Sequence, residues 1–461
     1  MIVKAVMVPH PPIALAEVGR GEEVKISATL NAFKTAMKEI ADSHPDTVIV
    51  LSPHAVMYRD WFNVSSGKKA SGSMARFHAG SVKFEKEYDT ELTALLDRMF
   101  EQDGFSAGME YDRDKSLDHG TMVPLYFLDQ FTKDYKLVRI GLSGLSLPMH
   151  YRLGQYIKAA SDQLGRRIAV IGSGDLAHCQ KEDGPYGFKP EGPAYDERIM
   201  KDMGNADFKA LFSYSPAFLD ACMECGHRSF VIMAGILDGI RVTPHVLSHE
   251  ATFGVGYGII TYDIGGEDES RHFLEQYETE EKKQMEAMAE ASDPYVRLAR
   301  QSVSYYVKTG LVLKVPDGLP EEMLGERAGC FVSIHKYSSL RGCIGTISPT
   351  KKNIAEEIIA NGISACSRDP RFNAVTEEEL PFLEINVDVL GKPEKIKDRS
   401  ELDVKRYGVI CTSGYKRGLL LPDLEGVDTV DQQIAIACSK GNIDPDDENL
   451  EMERFEVIRH V

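Results

Sequence analysis

Thr47-Val48-Ile49-Val50-Leu51 is a short run of β-branched and aliphatic residues, and Ser52-Pro53-His54-Ala55 follows it at once. Such a run, ended by a proline, predicts a buried strand closed by a loop that carries an imidazole. The same pattern opens the chain, where Ile2-Val3-Lys4-Ala5-Val6-Met7-Val8 leads into Pro9-His10-Pro11-Pro12. Leu137-Val138-Arg139-Ile140-Gly141-Leu142 and Ile168-Ala169-Val170-Ile171-Gly172-Ser173 read as further strands, with helix-like segments such as 25–43 and 153–164 between the runs. Alternation of this kind predicts an α/β domain, a central sheet with flanking helices. In such sheets the residues just beyond the strand ends converge on the ligand crevice, so the histidines placed there decide the chemistry.

Working outward, 461 residues suffice for about two to four folding units. Ten of the 13 histidines lie before residue 265, which assigns any imidazole chemistry to the first part of the chain. Between residues 265 and 292 the composition turns to Gly-Gly-Glu-Asp-Glu-Ser and then to a Glu/Lys/Met/Ala-rich run, read as an acidic linker passing into a helix. The expected domains are 1–264 and 293–461. The formal net charge of -18 argues against nucleic-acid or anionic-membrane binding by bulk charge. No stretch reads as a membrane span or a secretory signal, and eight scattered cysteines fit free thiols, so a cytoplasmic protein is expected.

Four separate segments deliver a histidine to a strand end or a Gly/Pro-rich loop: His10, His54, His119 in Leu117-Asp118-His119-Gly120, and His178 at the end of Gly174-Asp175-Leu176-Ala177-His178. Two neutral imidazoles and one anionic ligand make a facial site that holds Fe(II) and leaves positions open for substrate and dioxygen. Candidates for the anionic ligand stand together in Cys222-Met223-Glu224-Cys225-Gly226-His227-Arg228. A carboxylate from Glu224 gives the harder, iron-type site; a thiolate from Cys225 favours zinc or copper. Cys222 and Cys225 also form a C-x-x-C pair, but no second ligand pair stands at zinc spacing. Gly254-Val255-Gly256-Tyr257-Gly258 lacks a nucleotide-loop context and reads as strand and turn packing, and His249 as a supporting group.

Together, Pro9-His10-Pro11-Pro12, Ser52-Pro53-His54, Leu117-Asp118-His119-Gly120 and Gly174-Asp175-Leu176-Ala177-His178 resemble the class III extradiol ring-cleavage dioxygenases, the superfamily of the catalytic subunit of protocatechuate 4,5-dioxygenase. The resemblance spans roughly residues 1–263. It implies that His10 and His54 are iron ligands, that the third ligand falls at Glu224 or its neighbour, and that His119 and His178 act on substrate and as acid/base. A small aromatic substrate and O2 are implied with them. Cys225-Gly226-His227-Arg228-Ser229 is also similar to the Memo branch of that superfamily, where a Cys stands at this place.

After the boundary, Asp293-Pro294 predicts a helix start with Asp293 as N-cap. Gly329-Cys330-Phe331-Val332-Ser333-Ile334, the segment 383–390, Gly408-Val409-Ile410-Cys411 and Gly418-Leu419-Leu420-Leu421-Pro422 read as strands, so a smaller α+β domain is expected. Leu340-Arg341-Gly342-Cys343-Ile344-Gly345-Thr346 places a guanidinium two residues from a thiol. Either Cys343 is a nucleophile or ligand-binding thiol activated beside Arg341, or it sits in a strand turn with Arg341 paired to Asp369. With Ser367-Arg368-Asp369-Pro370-Arg371-Phe372, this stretch closely resembles the AMME-region protein family over residues 293–461. That resemblance, joined to the Memo-like one, implies a radical S-adenosylmethionine protein as partner; the chain itself has no C-x₃-C-x₂-C cluster motif.

Overall fold

The computed structural model describes every residue of the chain except Asp114, Ser338, Glu425 and Glu448. It divides into two compact units, Met1–Glu278 and Thr279–Val461.

The first unit is built on a six-stranded sheet in the order Lys136–Gly141, Thr47–Ser52, Ile168–Ser173, Ile2–Val8, Tyr257–Glu267, Ile240–Glu250. The first four strands are parallel and the last two antiparallel. All six residues of Thr47–Ser52 are buried, because helices cover both faces of the sheet. Side chains alternate between the faces: Ile49 and Leu51 enter one core with Ile157 and Phe230, whereas Val48 and Val50 enter the other with Phe33 and Phe127. Each fully buried aliphatic side chain contributes about 1.5–3 kcal/mol. The helices Leu147–Leu164 and His227–Ile236 lie on the first face, Ser27–Asp42 and His119–Leu128 on the second.

Parallel pairing sets the level of the strand ends. Val8 pairs with Ser173, and Leu51 with Gly172, so the chain leaves all three strands at one edge of the sheet. His10, His54 and Asp175 each lie two residues past such an end. A hairpin of Lys69–Met74 and Ala79–Glu87 stands apart from the sheet, with Ser73 opposite Lys83 and Ser71 opposite Glu85. The last strand runs on to Glu267, and Phe273, Leu274 and Tyr277 at the start of the helix Phe273–Ala291 pack into the core of this unit.

The second unit is the α+β fold the sequence leads one to expect. One antiparallel sheet, Ser339–Gly345, Cys330–Lys336, Leu383–Leu390 and Val457–His460, packs against the helices Pro294–Thr309 and Ile354–Ser367. A second sheet, Glu394–Ile396, Glu451–Phe455, Gly408–Ser413 and Lys416–Leu420, carries the helix Val430–Gly441. Asp293 caps its helix as read, accepting from the backbone N–H of Tyr295 at 2.9 Å and of Val296 at 3.1 Å. Among the described residues no helix is long and apolar enough to cross a membrane.

Candidate metal centre

His10 is buried at the end of the first strand, its backbone N–H held by Asp175 Oδ1 at 2.7 Å. Ser173 Oγ donates its one hydrogen to the carbonyl of Gly120 at 2.6 Å, so toward His10 Nδ1, 2.9 Å away, it acts as acceptor. Nδ1 therefore carries the ring hydrogen, and Nε2 presents a lone pair. That nitrogen faces Nε2 of His54 at 2.9 Å. Burial, and then the neighbouring His54 and His178, hold the proton affinity of His10 well below that of a free imidazole. Burial lowers His54 as well, against the opposing charges of Asp118 and Asp175. Two imidazoles kept neutral, with ring nitrogens turned to one another, are what a divalent cation needs from a protein.

His119 opens its helix behind the N-cap Asp118, whose carboxylate accepts from Thr121 N at 3.0 Å and from Ser52 Oγ at 2.5 Å. Its ring stacks on His54, centroids 4.0 Å apart, and donor atoms of His10, His54 and His119 all lie within 4.8 Å of one another. Burial and then the adjacent His54 and His10 push the proton affinity of His119 down to about 3.

The structure separates the two candidates for the anionic ligand. Cys225 Sγ lies 3.6 Å from His10 Nε2. Glu224 instead turns to the helix that follows: its Oε2 accepts from the backbone N–H of His227 at 2.5 Å, and burial raises the carboxyl to about 7. Met223, in the left-handed region at φ 58°, reverses the chain just before this pair. The register is fixed by a backbone contact: a Cβ on Gly174 would stand 2.1 Å from the Cα of Gly226, so the loops bearing Asp175 and Cys225 touch main chain to main chain. Burial, then the carboxylates of Asp175 and Glu224, push the Cys225 thiol up, so a bound cation would have to displace its proton. Cys222, its C-x-x-C partner, is buried with its thiol on the carbonyl of Leu219, 3.1 Å away.

His178 is half-buried beside this cluster. Its Nδ1 contacts the carbonyl of Met223, and its ring meets Tyr186 edge-on at 5.3 Å. The N–H of Ala177, just before it, donates to Asp196 Oδ1 at 2.9 Å, and Asp196 Oδ2 accepts from His249 at 2.9 Å. Ser173, Asp175 and Asp196 hold the site residues without having been singled out in the sequence. Only Asp175 carried a signal, its place two residues past a strand end.

In the second unit the pairing expected for Arg341 is not formed. Its guanidinium grips Glu379 with Nε at 3.0 Å and Nη2 at 2.9 Å, and donates to the carbonyls of Asn373 and Ala374. Asp369 is taken by Arg371, at 2.9 and 2.7 Å, and accepts from the N–H of Cys343 at 2.9 Å. Nor does the chain turn at Gly342. Ser339–Gly345 is a strand, and a Cβ on Gly342 would stand 2.2 Å from the carbonyl oxygen of Ala365, so the glycine admits a helix rather than bending around the thiol. Cys343 is half-buried, and Ser333 Oγ lies 3.2 Å from its sulfur.

Comparison with known proteins agrees with this division. The family model described as the catalytic LigB subunit of aromatic ring-opening dioxygenase matches residues 4–260, and the AMMECR1 model matches residues 296–460. Protein CA_C1420 of Clostridium acetobutylicum is 41% identical over 462 residues, covering 98% of each chain. A protein of Thermotoga maritima is 49% identical over 168 residues, which are 36% of this chain and 97% of that one. Among solved structures, PH0010 of Pyrococcus horikoshii is 33% identical and covers 36% of this chain and 88% of its own, with a TM-score of 0.34. JW3007 of Escherichia coli K12 is 14% identical and covers 56% of this chain and 99% of its own, with a TM-score of 0.37. The chain belongs to the family of the catalytic LigB subunit of aromatic ring-opening dioxygenases, continued in the same polypeptide by an AMMECR1 domain.

Proposed function

We propose that the first unit is a metal-dependent oxidoreductase of the extradiol ring-cleavage type, acting on a catechol-like substrate with O2. In this reading His10, His54 and Cys225 hold the ion, and His119 and His178 serve the substrate. The observation that carries it is the pair of neutral imidazoles whose Nε2 atoms face each other at 2.9 Å beside a thiol. When bound, the ion, Fe(II) for this chemistry, supplies a Lewis acid and a one-electron couple next to the open cleft.

The protein's own groups account for the proton traffic. Nδ1 of His178 donates to the carbonyl of Met223, which leaves Nε2 as the base that takes a phenolic proton and later returns one. His119 is neutral at pH 7, so it serves the developing anion as a hydrogen-bonding group rather than as a cation. His10 is buried, His119 half-buried and His54 exposed, so the cluster opens to the cleft on the side where the diol would sit. All eight cysteines are free, in keeping with a reducing, cytoplasmic setting.

A second reading follows from the sulfur. With Cys225 near the histidines and Glu224 engaged by His227, the donor set is softer than two histidines and a carboxylate. This supports a Memo-like metal-binding protein without ring cleavage, carrying copper or zinc and working beside a radical S-adenosylmethionine enzyme. Metal analysis after anaerobic preparation separates the two. Fe(II) with catechol-dependent oxygen uptake supports the first, and copper or zinc without uptake the second. His178→Ala is expected to slow turnover by about 10² to 10⁴ while metal content stays unchanged; loss of the metal in that variant would contradict the role given to His178.

A further inference from the structure

Asp238 follows the helix His227–Ile236 and is buried. Its carboxylate collects three donors. Oδ1 accepts from the hydroxyl of Tyr151 at 2.7 Å, and Oδ2 from Gln155 Nε2 at 3.1 Å and His272 Nδ1 at 2.9 Å. The first two are neutral: Gln155 carries no charge, and burial, then the charge of Asp238, pushes the Tyr151 hydroxyl well above its ordinary value, so it keeps its proton. Among the described residues His272 is therefore the one ion-pair partner of this buried carboxylate. A buried charge with a single partner is costly once that partner turns neutral.

His272 sits where the chain leaves the first unit, directly ahead of the helix Phe273–Ala291. Gly239 has φ 67°, and a Cβ there would stand 2.6 Å from the imidazole, so the ring lies against bare main chain. The same segments are tied by the N–H of Gly239 on the carbonyl of Arg271 at 3.3 Å and the N–H of Asp268 on the carbonyl of Gly239 at 2.9 Å. Glu269 Oε2 lies 3.4 Å from His272 Nε2, and Glu275 adds its charge from the helix. Asp268 is engaged by Ser270, and Arg271 is turned to the rings of Phe208 and Phe273 and to the carbonyl of Ala206 at 3.1 Å. The hydrogen bond to Asp238 outweighs burial and, with the charges of Asp238, Glu269 and Glu275, raises the proton affinity of His272 above 6.5. The pairing is thus fully present below pH 6.5 and is lost as pH rises through the raised value.

We propose that His272 and Asp238 form a proton-operated latch on the first turns of the helix Phe273–Ala291, closed while the imidazole is charged and loosened when it is not. Phe273, Leu274 and Tyr277 stay packed in the core and Glu278 stays paired to Arg152 at 2.5 Å, so the opening is local. The latch involves neither the metal nor a substrate, and it stands or falls apart from the reading of the cleft.

The test is hydrogen–deuterium exchange of the full chain at pH 6 and pH 9, corrected for the intrinsic pH dependence of exchange. Protection over residues 268–277 should fall about fivefold or more between the two, as a hydrogen bond between charged groups gives way to one with a neutral partner. The helix Ser27–Asp42, on the other face of the sheet, should keep its protection. His272→Gln retains a donor without a titratable charge and should abolish the step, whereas His272→Lys, a cation at both pH values, should keep the segment closed at pH 9. His272 is only half-buried, so both variants should melt as the parent does. Equal protection of the parent at both pH values, a step that survives in His272→Gln, or a step of the same size in Ser27–Asp42 would each overturn the proposal. So would a His272→Lys variant that opens at pH 9 as the parent does.

Discussion

The two clusters that stand out in this chain handle polar side chains in opposite ways. Around His10, His54 and His119 burial strips the rings of their protons, and their nitrogens are left facing one another. Around Cys343 the charges are kept but spent: Arg341 is locked to Glu379, and Arg371 to Asp369. The first arrangement turns two ring nitrogens and a thiol toward one point that opens to the cleft, whereas the second is complete as a brace for a strand and the segments beside it. Ring nitrogens that meet only one another can be taken over by a cation, whereas charges locked in ion pairs act as scaffold.

The largest expected effect lies in the first cluster. His10→Ala should weaken metal binding by more than about 100-fold, while Arg341→Ala should leave it unchanged. Stoichiometric metal in the His10 variant, read by elemental analysis, would break the contrast. Next is the acid response of the second cluster. Burial works against the charge of Glu379, but the hydrogen bonds from Arg341 and the charge of Lys336 outweigh it and bring the carboxyl from 4.5 down to about 2. Its stabilisation is therefore fully present above pH 4.5 and is lost as pH falls through about 2. At about 1.4 kcal/mol for each tenfold in proton affinity, this is about 3 kcal/mol. Glu379→Gln should remove that share at pH 7 and flatten the second unit's acid unfolding in this window; an unchanged profile would mean that the brace does not hold.

Smaller effects sharpen the contrast within the first cluster. Cys225→Ala should lower metal affinity by about 10- to 100-fold, whereas Glu224→Gln should change it less than about threefold. The reverse order would restore the carboxylate as ligand. Finally, Cys225 and Cys343 are half-buried while the other six cysteines are buried. Iodoacetamide should label Cys343 in either form, and Cys225 slowly in chelated protein and not at all once metal is bound. Protection of both would place the metal elsewhere.

The fold and the histidines were legible because period and punctuation carry them. Val48 and Ile49 point to opposite cores as a buried strand requires, and the residues after Val8, Ser52 and Ser173 meet because parallel strands end at one edge. The choice between Glu224 and Cys225 was not legible, since it depends on the left-handed turn at Met223, a conformation that methionine does not advertise. The partner of Arg341 was missed for a different reason. Glu379 lies 38 residues away in the short 3-10 helix Glu377–Phe382, and nothing in local spacing favours it over Asp369. Asp196 escaped notice because a buried carboxylate on the helix Glu191–Gly204 looks, in sequence, like any solvated one.

The touching glycines 174 and 226 act as a rivet between two stretches of chain that belong to different elements. The rivet fixes the loop bearing Cys225 against the loop bearing Asp175, whose carboxylate in turn holds the backbone of His10. A longer or shorter reach at this position would have to come from a different side chain at 225, because the rivet gives no slack for sliding either loop.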